Sequence, residues 1–146
     1  MKEDSSIRQL TITAINRSVM NPEEWLYSKV STDLKNDTFL FEDNELPIFE
    51  IETSKAKTII TTRRILEKEG EILHAVNFDE VDKVFFGDFK GQINKSELSI
   101  FRITTIDGEE QNFQMETGKA AIGLIKSIQT VIKLNTNINS KIRYEF

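Results

Sequence analysis

The side chains able to do chemistry are few. His74, in Ile72-Leu73-His74-Ala75-Val76, is the sole histidine, and the chain has no cysteine. One imidazole without thiolates cannot supply a usual zinc site, and no thiol nucleophile or disulfide framework exists. Serines occur without a Gly-x-Ser-x-Gly elbow, and a single histidine leaves little choice of general base. The carboxylate pairs Asp79-Glu80 and Glu109-Glu110 are adjacent in sequence. In a strand such neighbours point to opposite faces, unlike a coupled acid–base dyad. Gly87-x-x-x-Gly91 lacks the Lys-Ser/Thr that completes a phosphate-cradling loop. The expectation is a noncatalytic protein without cofactor or metal. The remaining candidates are cations: Lys55, Lys57, Arg63 and Lys90 are the residues that could hold an anion.

Charge is distributed unevenly. Residues 42–52 carry five acids and no base, whereas residues 53–68 have a net charge of +4. Residues 69–116 return −7, the stretch 117–146 gives +4, and the whole chain sums to −5. The basic segments either pair with the acidic ones on solvated faces or converge on one patch. An acidic chain whose aromatics are mostly phenylalanine (10 of 13) does not suit nucleic acid, which asks for a basic surface with stacking rings.

A chain of 146 residues with 38% apolar content fits one domain and is long enough to bury a core. The start Met1-Lys2-Glu3-Asp4 is too acidic for a signal peptide, and no run of about 18 apolar residues occurs. A cytoplasmic protein without stable membrane insertion is expected. Residues 7–19 satisfy both periods, and the β-branched residues around Thr11 and Thr13 favour a strand. Asn21-Pro22-Glu23-Glu24 reads as a helix start, and Leu26, Val30 and Leu34 at spacing four extend it over about 22–35, to a stop at Lys35-Asn36-Asp37-Thr38. From Phe39 the period becomes two. Strands are expected at Ile48 to Ile51, Lys57 to Lys68, Glu71 to Phe78, Asp82 to Phe86, Glu97 to Ile106 and Glu110 to Met115. Turns fall at Glu69-Gly70 and Asp107-Gly108. Ala121, Leu124, Ile125, Ile128, Val131 and Ile132 form one stripe of a helix over 119–134, with Thr117 as its N-cap and Asn135 as its stop. The end of the chain is either frayed or a late strand docked by Ile142, Tyr144 and Phe146.

Two segments carry a family resemblance. Thr58-Ile59-Ile60-Thr61-Thr62-Arg63-Arg64-Ile65-Leu66 resembles the Leu-Thr-x-x-Arg-Leu-Ile strand of bacterial pleckstrin-homology-like (PH-like, GRAM-like) domains. Val76-Asn77-Phe78-Asp79-Glu80-Val81-Asp82-Lys83-Val84 resembles their Ile-Pro-Leu-x-x-Ile-x-x-Val segment, with Asn77 in place of the proline. The resemblance covers about 39–134. It implies an α+β fold: a mainly antiparallel, bent β half-barrel of about seven strands, capped by a C-terminal amphipathic helix. Residues 1–38 would then be an N-terminal extension and 135–146 a tail. Phosphoinositide-binding members carry a basic cluster near the first hairpin; here Lys55-Ala56-Lys57 is followed by Ile59 where an arginine belongs. The resemblance therefore implies a noncatalytic module for a protein or peptide partner. The alternative is an anionic lipid or phosphate ligand held by Lys55, Lys57, Arg63 and Lys90. A small-molecule binder or enzyme ranks third.

Overall fold

Two sheets with helical cover follow from the alternation that starts near residue 39. The computed structural model describes residues 3–34, 37–90, 97–135 and 142–146. The first sheet is antiparallel throughout, in the order β1 (Ser28–Val30), β2 (Pro47–Glu52), β3 (Lys57–Thr61), β4 (Arg64–Glu69), β5 (Ile72–Asn77). The second contains β6 (Val81–Phe85), β7 (Leu98–Thr105), β8 (Glu110–Glu116) and β9 (Arg143–Glu145), in the order β8-β7-β6-β9. Its last strand runs parallel to β6. The sheets stay separate, so the architecture is α+β with open edges. Alternate residues of both sheets turn inward, and Phe49, Phe78, Phe86, Phe101 and Phe113 are fully buried in one core.

Helix α2 (Lys119–Leu134) occupies the span its stripe predicts, and all six stripe residues are buried. It lies against β2 and β8. Gly123 permits that approach: a Cβ there would sit 2.9 Å from both the Phe49 ring and the Trp25 ring. Asn135 ends the helix as expected. Thr117 does not cap it; Gly118 holds that position, and the Thr117 hydroxyl accepts the Glu97 N–H instead. The late strand is present as β9, where Tyr144 stacks on Phe86 with ring centres 6.5 Å apart.

Three further expectations are corrected. Residues 7–19 are not a strand but most of helix α1 (Asp4–Ser18), which packs on α2. Its buried face is narrow, Ile7, Thr11 and Ile15. The Thr11 and Thr13 hydroxyls donate to the carbonyls of Ile7 and Gln9 four residues back, which accommodates β-branched residues in a helix.

The helix over 22–35 does not form. Pro22–Glu24 makes a single 3-10 turn after Asn21, and the chain then runs extended into β1. Leu26 and Leu34 are 66% and 51% exposed, so the spacing of four marks no buried face. Tertiary partners decide the conformation. Trp25 packs against Phe49 at 5.7 Å, and the buried Glu116 carboxylate accepts the Leu26 and Tyr27 N–H groups and the Ser28 hydroxyl.

The single strand read from Lys57 to Lys68 is a hairpin, with Lys57 opposite Lys68. Its turn contains no glycine or proline. The Thr61 hydroxyl oxygen accepts the N–H groups of Arg63 and Arg64, a side-chain substitute for a glycine turn. The next hairpin, by contrast, turns where expected, on Gly70 at φ +60°. Lys35 and Asn36, Gly91 of the connection after β6, and 136–141 lie outside the described residues.

Candidate functional site

The four candidate cations do not share one site. Lys57 starts β3, and Lys55 sits in the turn before it. With Lys68 directly across the ladder, they rim an open hollow of about 310 Å³ that also includes Glu52, Thr53 and Gly70. Lys68 makes no ion pair among the described residues. The other two face carboxylates: Lys57 Nζ is 3.8 Å from Glu50 Oε1, and Lys55 Nζ is 3.6 Å from Glu69 Oε1. Arg63 is at the far end of the hairpin, roughly 14 Å away by the length of β3. Lys90 belongs to the connection after β6 and rests over the Phe89 ring, 5.8 Å from its centre. Lys68 was missed because a continuous strand carries it far from Lys57; only the unsignalled turn folds it back.

Arg63 is bound within the chain. Its Nε and Nη2 donate to the two Asp4 carboxylate oxygens at 3.0 and 3.1 Å, and Glu42 lies 3.8 Å from Nη1. Burial pushes the Asp4 carboxyl up, but hydrogen bonds from Arg63 and Thr62, with the Arg63 charge, leave it below the usual carboxylate range. The neighbouring Arg64 forms a two-toothed pair with the buried Glu45, 2.9 Å at each contact. The hydrogen bond to Glu45 raises its already high pKa further. These pairs clasp the start of α1 and the 42–45 loop onto the β3–β4 turn. They engage Arg63 within the chain on both sides of its guanidinium, although its side chain stays partly exposed.

A polar row crosses the inner face of the first sheet, in the register Thr58, Glu67, His74. Glu67 Oε1 accepts the Thr58 hydroxyl at 2.6 Å and the Gln114 N–H at 2.8 Å. The Gln114 side chain donates to the Ile51 and Ala56 carbonyls and accepts from Thr53. Those bonds sew β8 to the first sheet. His74 is half-buried: it meets the Phe113 ring edge-on at 4.9 Å, and its Nε2 lies 3.2 Å from Glu67 without forming a hydrogen bond. The row is an inter-sheet fastening built on the core, with its carboxylate already engaged.

The exposed feature of the same corner is strand β5. It ends the first sheet, paired with β4 on one side only. The Phe78 N–H donates to the Arg63 carbonyl, so by antiparallel alternation Ile72, His74 and Val76 face β4. Leu73, Ala75 and Asn77 then aim their N–H and C=O groups outward. No hydrogen bond reaches those three outward sets among the described residues. Ile72 is 69% and Leu73 57% exposed beside them. Among the described residues, no three histidines or carboxylates converge as a metal site, and no helix is long and apolar enough to cross a membrane. Comparison with protein-family models, with curated proteins and with solved structures finds no match to this chain.

Proposed function

We propose that the chain is a noncatalytic PH-like binding module that receives an extended peptide along the free edge of β5. The observation that carries this reading is the outward row of Leu73, Ala75 and Asn77 backbone groups, flanked by exposed Ile72 and Leu73. An added strand gains affinity from main-chain hydrogen bonds and specificity from alternate side chains. An uncovered edge is otherwise an aggregation liability, which proteins usually blunt. The half-barrel reading is supported by the succession of antiparallel hairpins closed by an amphipathic C-terminal helix. Here α1 and β1 add to that plan, since Ile7 and Ile15 join the main core.

The test is backbone amide exchange on the full chain with peptides selected from a random library. Protection of the Leu73, Ala75 and Asn77 amides is the expected outcome. A tight peptide that protects residues elsewhere and leaves those three unchanged would refute edge docking. The rival reading, an anionic ligand, is favoured by Lys57 facing Lys68 at the rim of the 53–57 hollow. It keeps Lys55 and Lys57 of the sequence reading, adds Lys68, and leaves out Arg63 and Lys90.

A further inference from the structure

We infer that the segment docking on β5 is cationic at both ends, an apolar extended stretch flanked by lysine or arginine. This rests on the edge-docking reading above and specifies its partner. From Glu69 to Asp82 the chain holds five acids, Glu69, Glu71, Asp79, Glu80 and Asp82, and no lysine or arginine. They bracket β5: Glu69 and Glu71 stand at its start, the other three beyond its end. Glu69 faces Lys55, and Asp82 faces Arg143. Glu71, Asp79 and Glu80 are exposed and make no ion pair among the described residues. Unpaired acids therefore lie at both ends of a strand of six residues, a span of roughly 20 Å. A peptide strand laid beside it covers the apolar centre with about six residues and brings its flanks over the acids.

The same geometry disfavours a second copy of the chain as occupant. An antiparallel β5–β5 pairing centred on Ala75 sets Leu73 opposite Asn77 and brings the Glu71 end of each copy beside the acidic turn after β5, with Asp79 and Glu80, of the other. Like charges opposite one another across strands destabilise the pairing. The edge is thus closed to itself by charge and open to a basic partner, which is how a protein can keep a usable edge without aggregating.

The experiment uses three labelled peptides with one alternating Val/Thr centre and flanks of lysine, of glycine-serine or of glutamate, titrated into the full chain by fluorescence anisotropy. Two variants accompany them. Ala75→Pro removes an outward N–H, a position where an edge strand tolerates proline, so the sheet should persist by circular dichroism. Glu71→Lys/Glu80→Lys reverses one acid at each end. The lysine-flanked peptide is expected to bind tightest, to weaken as salt shortens the Debye length, to lose about tenfold on charge reversal, and to be lost with Ala75→Pro. Equal binding of all three peptides, abolished by Ala75→Pro, would overturn the charge inference and leave edge docking standing. Binding of the lysine-flanked peptide that Ala75→Pro does not weaken would overturn both, as would no binding by any of the three. A dimer of the chain that Ala75→Pro dissolves would make a second copy the occupant and overturn the cationic partner.

Discussion

Glu116 holds a segment whose conformation local sequence does not explain, so removing its carboxylate should release that segment. The residue is 2% exposed. Oε2 accepts the Leu26 N–H at 2.9 Å, and Oε1 accepts the Tyr27 N–H at 2.9 Å and the Ser28 hydroxyl at 2.8 Å. Leu26 is largely exposed, so water can replace the acceptor of its amide. The Tyr27 amide and the Ser28 hydroxyl are the donors at stake. Bonds to a charged acceptor contribute about 1.5–3 kcal/mol each, so Glu116→Ala should cost about 3 kcal/mol. Glu116→Gln keeps one carbonyl oxygen and places an amide donor where the other stood; about half that loss is expected.

Urea unfolding of both variants gives the magnitudes, and amide exchange shows where they act. The prediction is local: the Leu26 and Tyr27 amides, whose hydrogen bonds Glu116 accepts, should exchange faster while those of α2 keep their protection. Trp25 sits next in the chain, packed on Phe49, so its emission should shift to the red in Glu116→Ala before global unfolding. Two results would refute the reasoning. A loss under about 0.5 kcal/mol for Glu116→Ala would be that of an ordinary surface site. Equal losses for Gln and Ala would mean that the number of bonds to this carboxylate does not set its contribution.

Three further outcomes are expected. Asp4, whose folded pKa is lowered, contributes stability that is present above its ordinary value of 3.8 and lost as pH falls through the folded one. Asp4→Asn should therefore be less stable than wild type by about 1 kcal/mol near neutral pH, with the gap closing as pH falls below the ordinary value and through the lowered folded one; a gap unchanged by acid in urea titrations would contradict the clasp. Ile128 is fully buried in α2, so Ile128→Ala should lose about 2–5 kcal/mol in denaturant unfolding, and a loss below about 0.5 kcal/mol would remove α2 from the core. Phosphoinositide vesicles should not sediment the chain tightly at physiological salt. Lys55, Lys57 and Lys68 give about 1 kcal/mol each near an anionic membrane, a millimolar attraction that Glu50, Glu52 and Glu69 erode; micromolar binding lost on their substitution would favour the anionic-ligand reading instead.

What the sequence disclosed tracks how local the cause is. Helix α2 is legible because six apolar residues crowd one face, and β2 and the strands from β5 to β8 because alternation and a glycine turn are short-range signals. Helix α1 is obscured because a threonine occupies the middle of its three-residue buried face. The 22–35 helix was read from local capping and spacing, yet Glu116, about 90 residues away, and Phe49 on β2 fix the extended path. The β3–β4 turn is hidden for another reason: Thr61 does with a hydroxyl what glycine does with φ. Lys55 and Lys57 of the candidate site were legible as lysines, but their partnerships were not, since Lys68 joins Lys57 only through that turn.

The same turn explains where the charge of the chain finally lies. The acidic run 42–52 and the basic run 53–68 fold onto one another: Glu42 and Asp4 meet Arg63, Glu45 meets Arg64, and Glu50 meets Lys57. Neutralised within one sheet and its covering loop, they contribute little to the outer field. The acids after residue 68 have no such basic run beside them, and Glu71, Asp79 and Glu80 stand unpaired around β5. A net charge of −5 is thus spread unevenly, offset over the basic hairpin and left unpaired beside the free edge of β5. Most of the basic run 53–68 is spent on holding the fold, and unpaired acids are left around β5.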